Sequence, residues 1–202
     1  MFDGMIFDMD GTLVNFVKQV TESWNETCKR HKWNKTFSYQ QLQSIMGLTC
    51  KEIGAIFFPE IDVDKAQERV ELCCYEEVEY LEKHMGETYI PNEMFLQKLS
   101  NKYKLFIVSN CQKGYIEVFL KHFNYEKYFL ETLNSSNGLT KSQNIRCLVD
   151  KYRLNSAVYV GDTIKDQIAA NEAKVEFIHA SYGFGNVECQ NKINKLEELL
   201  DL

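Results

Sequence analysis

Short apolar runs separated by segments of helical spacing constrain the fold of this 202-residue chain more than any other feature. Met5-Ile6-Phe7, Leu105-Phe106-Ile107-Val108 and Ala157-Val158-Tyr159-Val160 lack the polar alternation of a half-exposed strand, so they read as strands buried on both faces. Two further strands are expected, a weak one around Glu131–Leu133 and one over Val175–His179. From Tyr89 onward strand and helix alternate. Pro91 suits the first turn of a helix reaching about Asn101. Tyr115, Val118, Phe119 and His122 mark a second helix. Thr140 is an N-cap for a third, carrying Lys141, Ile145, Leu148 and Val149. A helix follows the strand at Val160, and a final helix closes the chain. This order predicts a five-stranded parallel sheet with helices on both faces.

The stretch between Val14 and Tyr89 follows a different pattern. Val17, Val20, Trp24 and Cys28 recur at helical spacing, predicting one amphipathic helix to about Lys32. Ser38-Tyr39-Gln40-Gln41 and Thr49-Cys50-Lys51-Glu52 are capping boxes, each opening a short helix. A longer apolar stripe runs from Ala66 through Val70, Val78 and Leu81 to Met85, closed by Gly86, and reads as a packing face. Four helices without a strand predict a compact helical domain over residues 15–86, inserted into an α/β core of residues 1–14 and 87–202.

Composition narrows the function classes. A net charge of −6 without a basic tract argues against a nucleic-acid partner. No apolar run approaches the ~20 residues of a membrane helix, and the N-terminus enters a strand without a signal sequence. The seven cysteines form no C-x-x-C pair, so neither a zinc site nor a disulfide framework is indicated. Reduced thiols and a cytoplasmic location are the expectation. Monomer and homodimer are equally open.

The polar residues fall where such a sheet would gather them. Asp8 follows the first strand, Ser109-Asn110 the second and Asp162 the one ending at Val160, while Lys141 begins a helix. Ligands of open parallel sheets bind beyond the carboxyl ends of the strands. Asp8 and Asp10, one residue apart before the Gly11-Thr12 turn, would repel each other by roughly 4 kcal/mol at about 4 Å in an effective dielectric of 20. A hard cation with oxygen ligands would relieve that repulsion and leave one carboxylate as a nucleophile. Each piece alone has a plainer reading: a solvated Asp-x-Asp-Gly turn, a strand-terminating Ser-Asn, a surface lysine, and an N-capping acid at Asp162 with Asp166 in the first turn.

Taken in order, Asp8-Met9-Asp10-Gly11-Thr12, Ser109-Asn110, Lys141 and Gly161-Asp162-x-x-x-Asp166 resemble the four motifs of the haloacid dehalogenase superfamily of phosphohydrolases. The helical insert resembles the cap of the phosphoglycolate phosphatase and beta-phosphoglucomutase branch. The resemblance implies a Rossmann-like core with a helical cap that chooses the substrate. It also implies a Mg²⁺-dependent phosphatase of a small phosphorylated metabolite, a phosphoglycolate-like ester or a sugar phosphate. Asp8 would attack phosphorus to form an aspartyl-phosphate, and Asp10 would serve as general acid and then base. Asp8, Asp10 (through its carbonyl), Asp162 and Asp166 (more through water) would hold Mg²⁺. Ser109 and Lys141 would bind and neutralise the phosphoryl group, with backbone N–H groups near Met9 and Asn110 completing the cradle.

Asp10 favours phosphoryl transfer, since members that release halide lack an acid at that position. A sugar-phosphate mutase and a non-catalytic binder of a phosphorylated ligand remain the alternatives. Gly138-Leu139-Thr140-Lys141-Ser142 departs from the Lys-Pro pairing common in the mutase-like branch. Asn15-Phe16 stands where Asp-Ser is frequent, and Lys174 where a helix usually ends in glycine. The Gly47–Lys51 loop reads as a substrate-facing cap loop or a plain helix–helix turn. The glycine-rich segment Ala180–Gly185 reads equally as part of the site entrance or as a turn.

Overall fold

The computed structural model describes residues 2–202. In chain order the strands and helices are β1 Gly4–Phe7, β2 Val14–Asn15, α1 Val17–Arg30, α2 Tyr39–Ser44, α3 Cys50–Phe57, α4 Val63–Leu81, β3 Glu87–Thr88 and α5 Glu93–Lys102. They continue with β4 Lys104–Val108, α6 Tyr115–Phe123, β5 Phe129–Leu133, α7 Lys141–Lys151, β6 Ala157–Gly161, α8 Ile164–Ala173, β7 Glu176–Ala180 and β8 Lys192–Ile193. The chain divides into two compact units. One runs through Asn15 and resumes over Glu87–Leu202; the other is Phe16–Gly86.

The first unit is an α/β layer structure. Its sheet has the order β5-β4-β1-β6-β7-β8 and is parallel throughout. Strands β1 and β6 are buried along their whole length, and β4 beyond Lys104, because helices cover both faces. Ile6, Phe106 and Tyr159 project to one face, where Ile145 and Leu148 of α7 and Ala169, Ala170 and Ala173 of α8 meet them. The alanines of α8 let that helix approach the sheet closely. From β1 the chain moves to β4 on one side, and from β6 to β7 on the other. The order therefore switches between β1 and β6, the crevice where ligands of such sheets bind.

Three features of this unit differ from the sequence expectation. The sheet has six strands rather than five; β8 is two residues long, too short to show any periodicity. The chain closes in a 3₁₀ helix, Leu196–Asp201, where a final helix was expected. Pro91 precedes α5 instead of occupying its first turn, because the Asn92 side chain accepts from the Phe95 N–H and fixes the N-terminus there. A small antiparallel ladder between β2 and β3 joins the two crossings out of and into this unit.

The helical unit has its own core. Trp24 of α1 packs edge-on to Phe37 and Phe57, while its indole N–H donates to the buried Glu77 carboxylate on α4. Both capping boxes form: Ser38 with Gln41 ahead of α2, and Thr49 with Glu52 ahead of α3. The α4 stripe was expected to continue to Met85, but the helix ends at Leu81.

Candidate active site

β1, β4 and β6 lie side by side, and their carboxyl ends carry Asp8, Ser109 and Asp162 respectively. Three consecutive N–H groups, of Thr12, Leu13 and Val14, converge on the Met9 carbonyl, so the chain after Asp8 folds into a tight loop. Gly11 sits in it at φ +80°, and a Cβ there would lie 2.1 Å from Asp162 Oδ2. The Asp-x-Asp-Gly turn thus requires glycine for two reasons: its backbone sign and the closeness of Asp162.

Lys141, the first residue of α7, is 6% exposed and delivers its ammonium into the crevice. Its Nζ donates to Asp8 Oδ1 at 2.9 Å and to Asp166 Oδ1 at 2.7 Å. It also lies 5.8 Å from the centre of the Tyr159 ring. The helix start is set by Thr140, whose hydroxyl accepts from the Gln143 N–H. The preceding loop is tied down by buried Asn144, which donates to the Asn134 carbonyl and accepts from the Asn137 amide.

Asp162 and Asp166 are both fully buried. The second oxygen of Asp166 accepts from the Thr163 N–H at 2.9 Å and the Thr163 hydroxyl at 2.7 Å, so both its oxygens are committed to protein donors. Asp162 is arranged otherwise. Its Oδ2 accepts from the Phe184 N–H at 2.7 Å, whereas its Oδ1 is buried with no hydrogen-bond partner. Carboxylate oxygens of Asp8, Asp162 and Asp166 lie within 4.8 Å of one another.

Burial and the neighbouring charges together set the direction in which each group is shifted. Burial raises the Asp8 carboxyl above its ordinary value despite the neighbouring Lys141 ammonium and a hydrogen bond from the Met9 N–H. Burial, with Asp8 and Asp166 nearby, pushes Asp162 up to about 8. Burial would lower Lys141, but the charges of Asp166 and Asp8 carry it well above the usual lysine range. Three buried carboxylates against one ammonium leave an excess of negative charge that only a proton or a cation can balance. The unpartnered Asp162 Oδ1 and the all-oxygen donor set fit a hard divalent cation, Mg²⁺ being the type.

The remaining expected residues lie as follows. Ser109 is buried at the end of β4, with its N–H on the Leu133 carbonyl, and Asn110 follows it half-buried. Met9 is fully buried. The Asp10 carboxylate is not among the oxygens gathered around Asp162; its Oδ1 accepts from the Tyr115 hydroxyl at 3.0 Å.

The roles of Thr163 and Tyr115 escaped the sequence reading. Thr163 holds Asp166 through a capping box, and the Thr-x-x-Asp spacing could have revealed it. The segment after β7, left open between site entrance and turn, lies against Asp162, whose Oδ2 accepts from the Phe184 N–H. A Cβ on Gly183 would lie 2.3 Å from the Asp162 Cβ, and one on Gly185 2.4 Å from the Asp162 carbonyl oxygen. Tyr182 donates to the Thr12 carbonyl at 2.8 Å, binding that segment to the loop after β1. Tyr115 carried no signal beyond an inward helical position.

A family model described as haloacid dehalogenase-like hydrolase matches residues 5–180. No curated protein matches the chain. Among solved structures, a predicted phosphatase from Clostridium acetobutylicum superposes with a TM-score of 0.81 at 21% identity, over 100% of this chain and 97% of that one. A hydrolase of the haloacid dehalogenase-like family from Streptococcus pneumoniae gives 0.82 at 19% identity, over 98% and 97%. A predicted phosphoglycolate phosphatase from Haemophilus somnus gives 0.81 at 19% identity, over 99% and 97%. At these identities the likeness is one of fold.

Proposed function

The chain belongs to the haloacid dehalogenase-like hydrolases, and within that family we propose that it is a Mg²⁺-dependent phosphatase of small phosphorylated metabolites. The observation that carries this reading is the pairing of Asp8 with Lys141 beside a buried Asp162 oxygen that lacks a partner. Buried carboxylate oxygens ordinarily find donors, so one left without a partner among three clustered carboxylates supports a cation ligand.

Asp8 is the nucleophile: a carboxylate oxygen forms a bond to phosphorus as the ester oxygen leaves, giving an aspartyl-phosphate. Asp10 gives its proton to the departing oxygen, then takes one from the water that attacks the phosphoryl group and frees Asp8. Lys141 is fixed by Asp166, and its charge is available to phosphoryl oxygens as negative charge builds on them. Ser109 and the N–H groups near Met9 and Asn110 hold the remaining phosphoryl oxygens. Asp8, Asp162 and the Asp10 carbonyl would hold Mg²⁺. Asp166, with both oxygens taken by protein donors, acts on it at most through water. When bound, the metal supplies charge neutralisation that lets one anion approach another.

The helical unit, Phe16–Gly86, is the proposed substrate selector, with the loop Gly47–Lys51 as its candidate contact. Phosphoglycolate, named in the description of the Haemophilus somnus structure, is a first candidate substrate beside sugar phosphates.

The test is phosphate release from a panel of phosphate monoesters, with Mg²⁺ and again with EDTA. The proposal predicts Mg²⁺-dependent release from at least one small ester. Interconversion of sugar phosphates primed by a bisphosphate, with little phosphate released, would instead mark a mutase. Tight binding of phosphorylated ligands without turnover would mark a binding protein.

A further inference from the structure

Tyr115 stands at the first position of α6, on the connection from β4 that also carries Ser109 and Asn110. Its ring is buried, and its hydroxyl donates to Asp10 Oδ1 at 3.0 Å. The backbone that aims it is specific. Gly114 turns the chain at φ +95° ahead of α6, its carbonyl accepts from the Val118 N–H, and its own N–H is held by the Glu117 side chain at 2.9 Å. A tyrosine has two side-chain torsions, so a buried ring on a capped helix start places its oxygen with little freedom.

We propose that Tyr115 is a positioning residue for the acid–base carboxylate: its hydroxyl anchors Asp10 through Oδ1 and so fixes where the proton is given and taken. The inference rests on the phosphatase reading. A phenol O–H can donate to Oδ1 in both the acid and the carboxylate form of Asp10, so the anchor holds through both half-reactions. In the first half-reaction the Asp10 O–H bond breaks and the proton goes to the leaving oxygen as its bond to phosphorus breaks and the Asp8 bond forms. In the second, a water proton passes to the Asp10 carboxylate as water bonds to phosphorus and the Asp8–phosphorus bond breaks. Tyr115 keeps its own proton throughout. One β4–α6 connection thereby sets both the phosphoryl oxygen, through Ser109, and the proton donor, through Tyr115. A displacement of an ångström between reacting groups can cost about a hundredfold in rate.

A buried tyrosine also needs a hydrogen-bond acceptor for packing reasons alone, so the test must separate positioning from packing. Tyr115→Phe keeps the ring and removes the hydroxyl. Its kcat/KM is compared with wild type on an alkyl phosphate, whose leaving oxygen needs a proton, and on p-nitrophenyl phosphate, whose leaving group departs without one. Positioning predicts a fall of about ten- to a hundredfold on the alkyl ester, part of the 10²–10⁴ a placed acid contributes, and at most about threefold on the aryl ester. It also predicts that Tyr115→Phe has no further effect on the alkyl ester in an Asp10→Asn background, because the two residues act as a unit. Equal losses on both esters, losses that multiply with those of Asp10→Asn, or no loss at all would overturn the proposal. A wild-type protein that turns over neither ester would remove the phosphatase reading and this inference with it. A wild type active on both with an unaffected Tyr115→Phe would remove the inference alone.

Discussion

At the scale of single residues, the site is a problem in charge balance. Asp8, Asp162 and Asp166 share one ammonium, and the imbalance falls on Asp162, held near 8. Its pKa in the folded, metal-free protein lies above the ordinary carboxylate value of about 4. The associated stability is therefore complete below about 4 and is lost as pH rises through about 8. A cation that needs the ionised carboxylate binds better over the same rise. Thermal unfolding followed with and without Mg²⁺ should show a metal-induced shift that grows as pH approaches about 8 and is absent in Asp162→Asn. A pH-independent shift, or one retained in that variant, would place the metal elsewhere. Lys141→Met should act in the opposite sense on the free protein. It leaves two buried carboxylates without their partner, at a cost of about 3–5 kcal/mol, which urea denaturation would read. A variant as stable as wild type would mean that the pair contributes nothing to folding.

At the scale of elements, the connections rather than the strands complete the site. The central strands β1, β4 and β6 were legible because burial on both faces makes them uninterrupted apolar runs, and the capping boxes at Ser38 and Thr49 and the N-cap at Thr140 were legible because their spacing is fixed by hydrogen-bond geometry. The segment after β7 was legible only as an open choice between site entrance and turn. Its glycines are explained by the proximity of Asp162, a contact between residues some twenty positions apart that local pattern does not record. Two glycines separate the effects. Gly183→Ala would press a methyl group onto Asp162 and the Gly11 carbonyl, so Mg²⁺ binding and turnover should fall together. Gly138→Ala meets nothing within 4 Å but sits at φ +77°, so it should cost about 1–2 kcal/mol of stability from backbone strain. Calorimetric Mg²⁺ titration of Gly183→Ala decides; unchanged affinity would show that the close contact is relieved without moving Asp162. Tyr115 was invisible for a similar reason: a buried aromatic at helical spacing looks like core until its hydroxyl is seen on Asp10.

At the scale of the molecule, a helical unit is inserted into an α/β unit that carries every proposed catalytic residue. The insert was readable as four strandless helices, whereas the two-residue strands β2 and β3 at its junctions were too short to leave a pattern. The division of labour proposed here predicts that exchanging residues 16–86 for the helical segment of a relative changes the preferred phosphate ester, while aryl phosphate hydrolysis still depends on Asp8. Ranking kcat/KM over an ester panel reads this out, and an unchanged ranking would remove substrate choice from the helical unit. No helix among the described residues is long and apolar enough to cross a membrane. The central claim, that Asp8 carries the phosphoryl group, has one direct measurement. Rapid quenching during turnover, borohydride reduction of the acyl phosphate and peptide mapping should find the reduced residue at position 8, with none in Asp8→Asn. Turnover without a trapped phospho-enzyme, or a label on another residue, would contradict it.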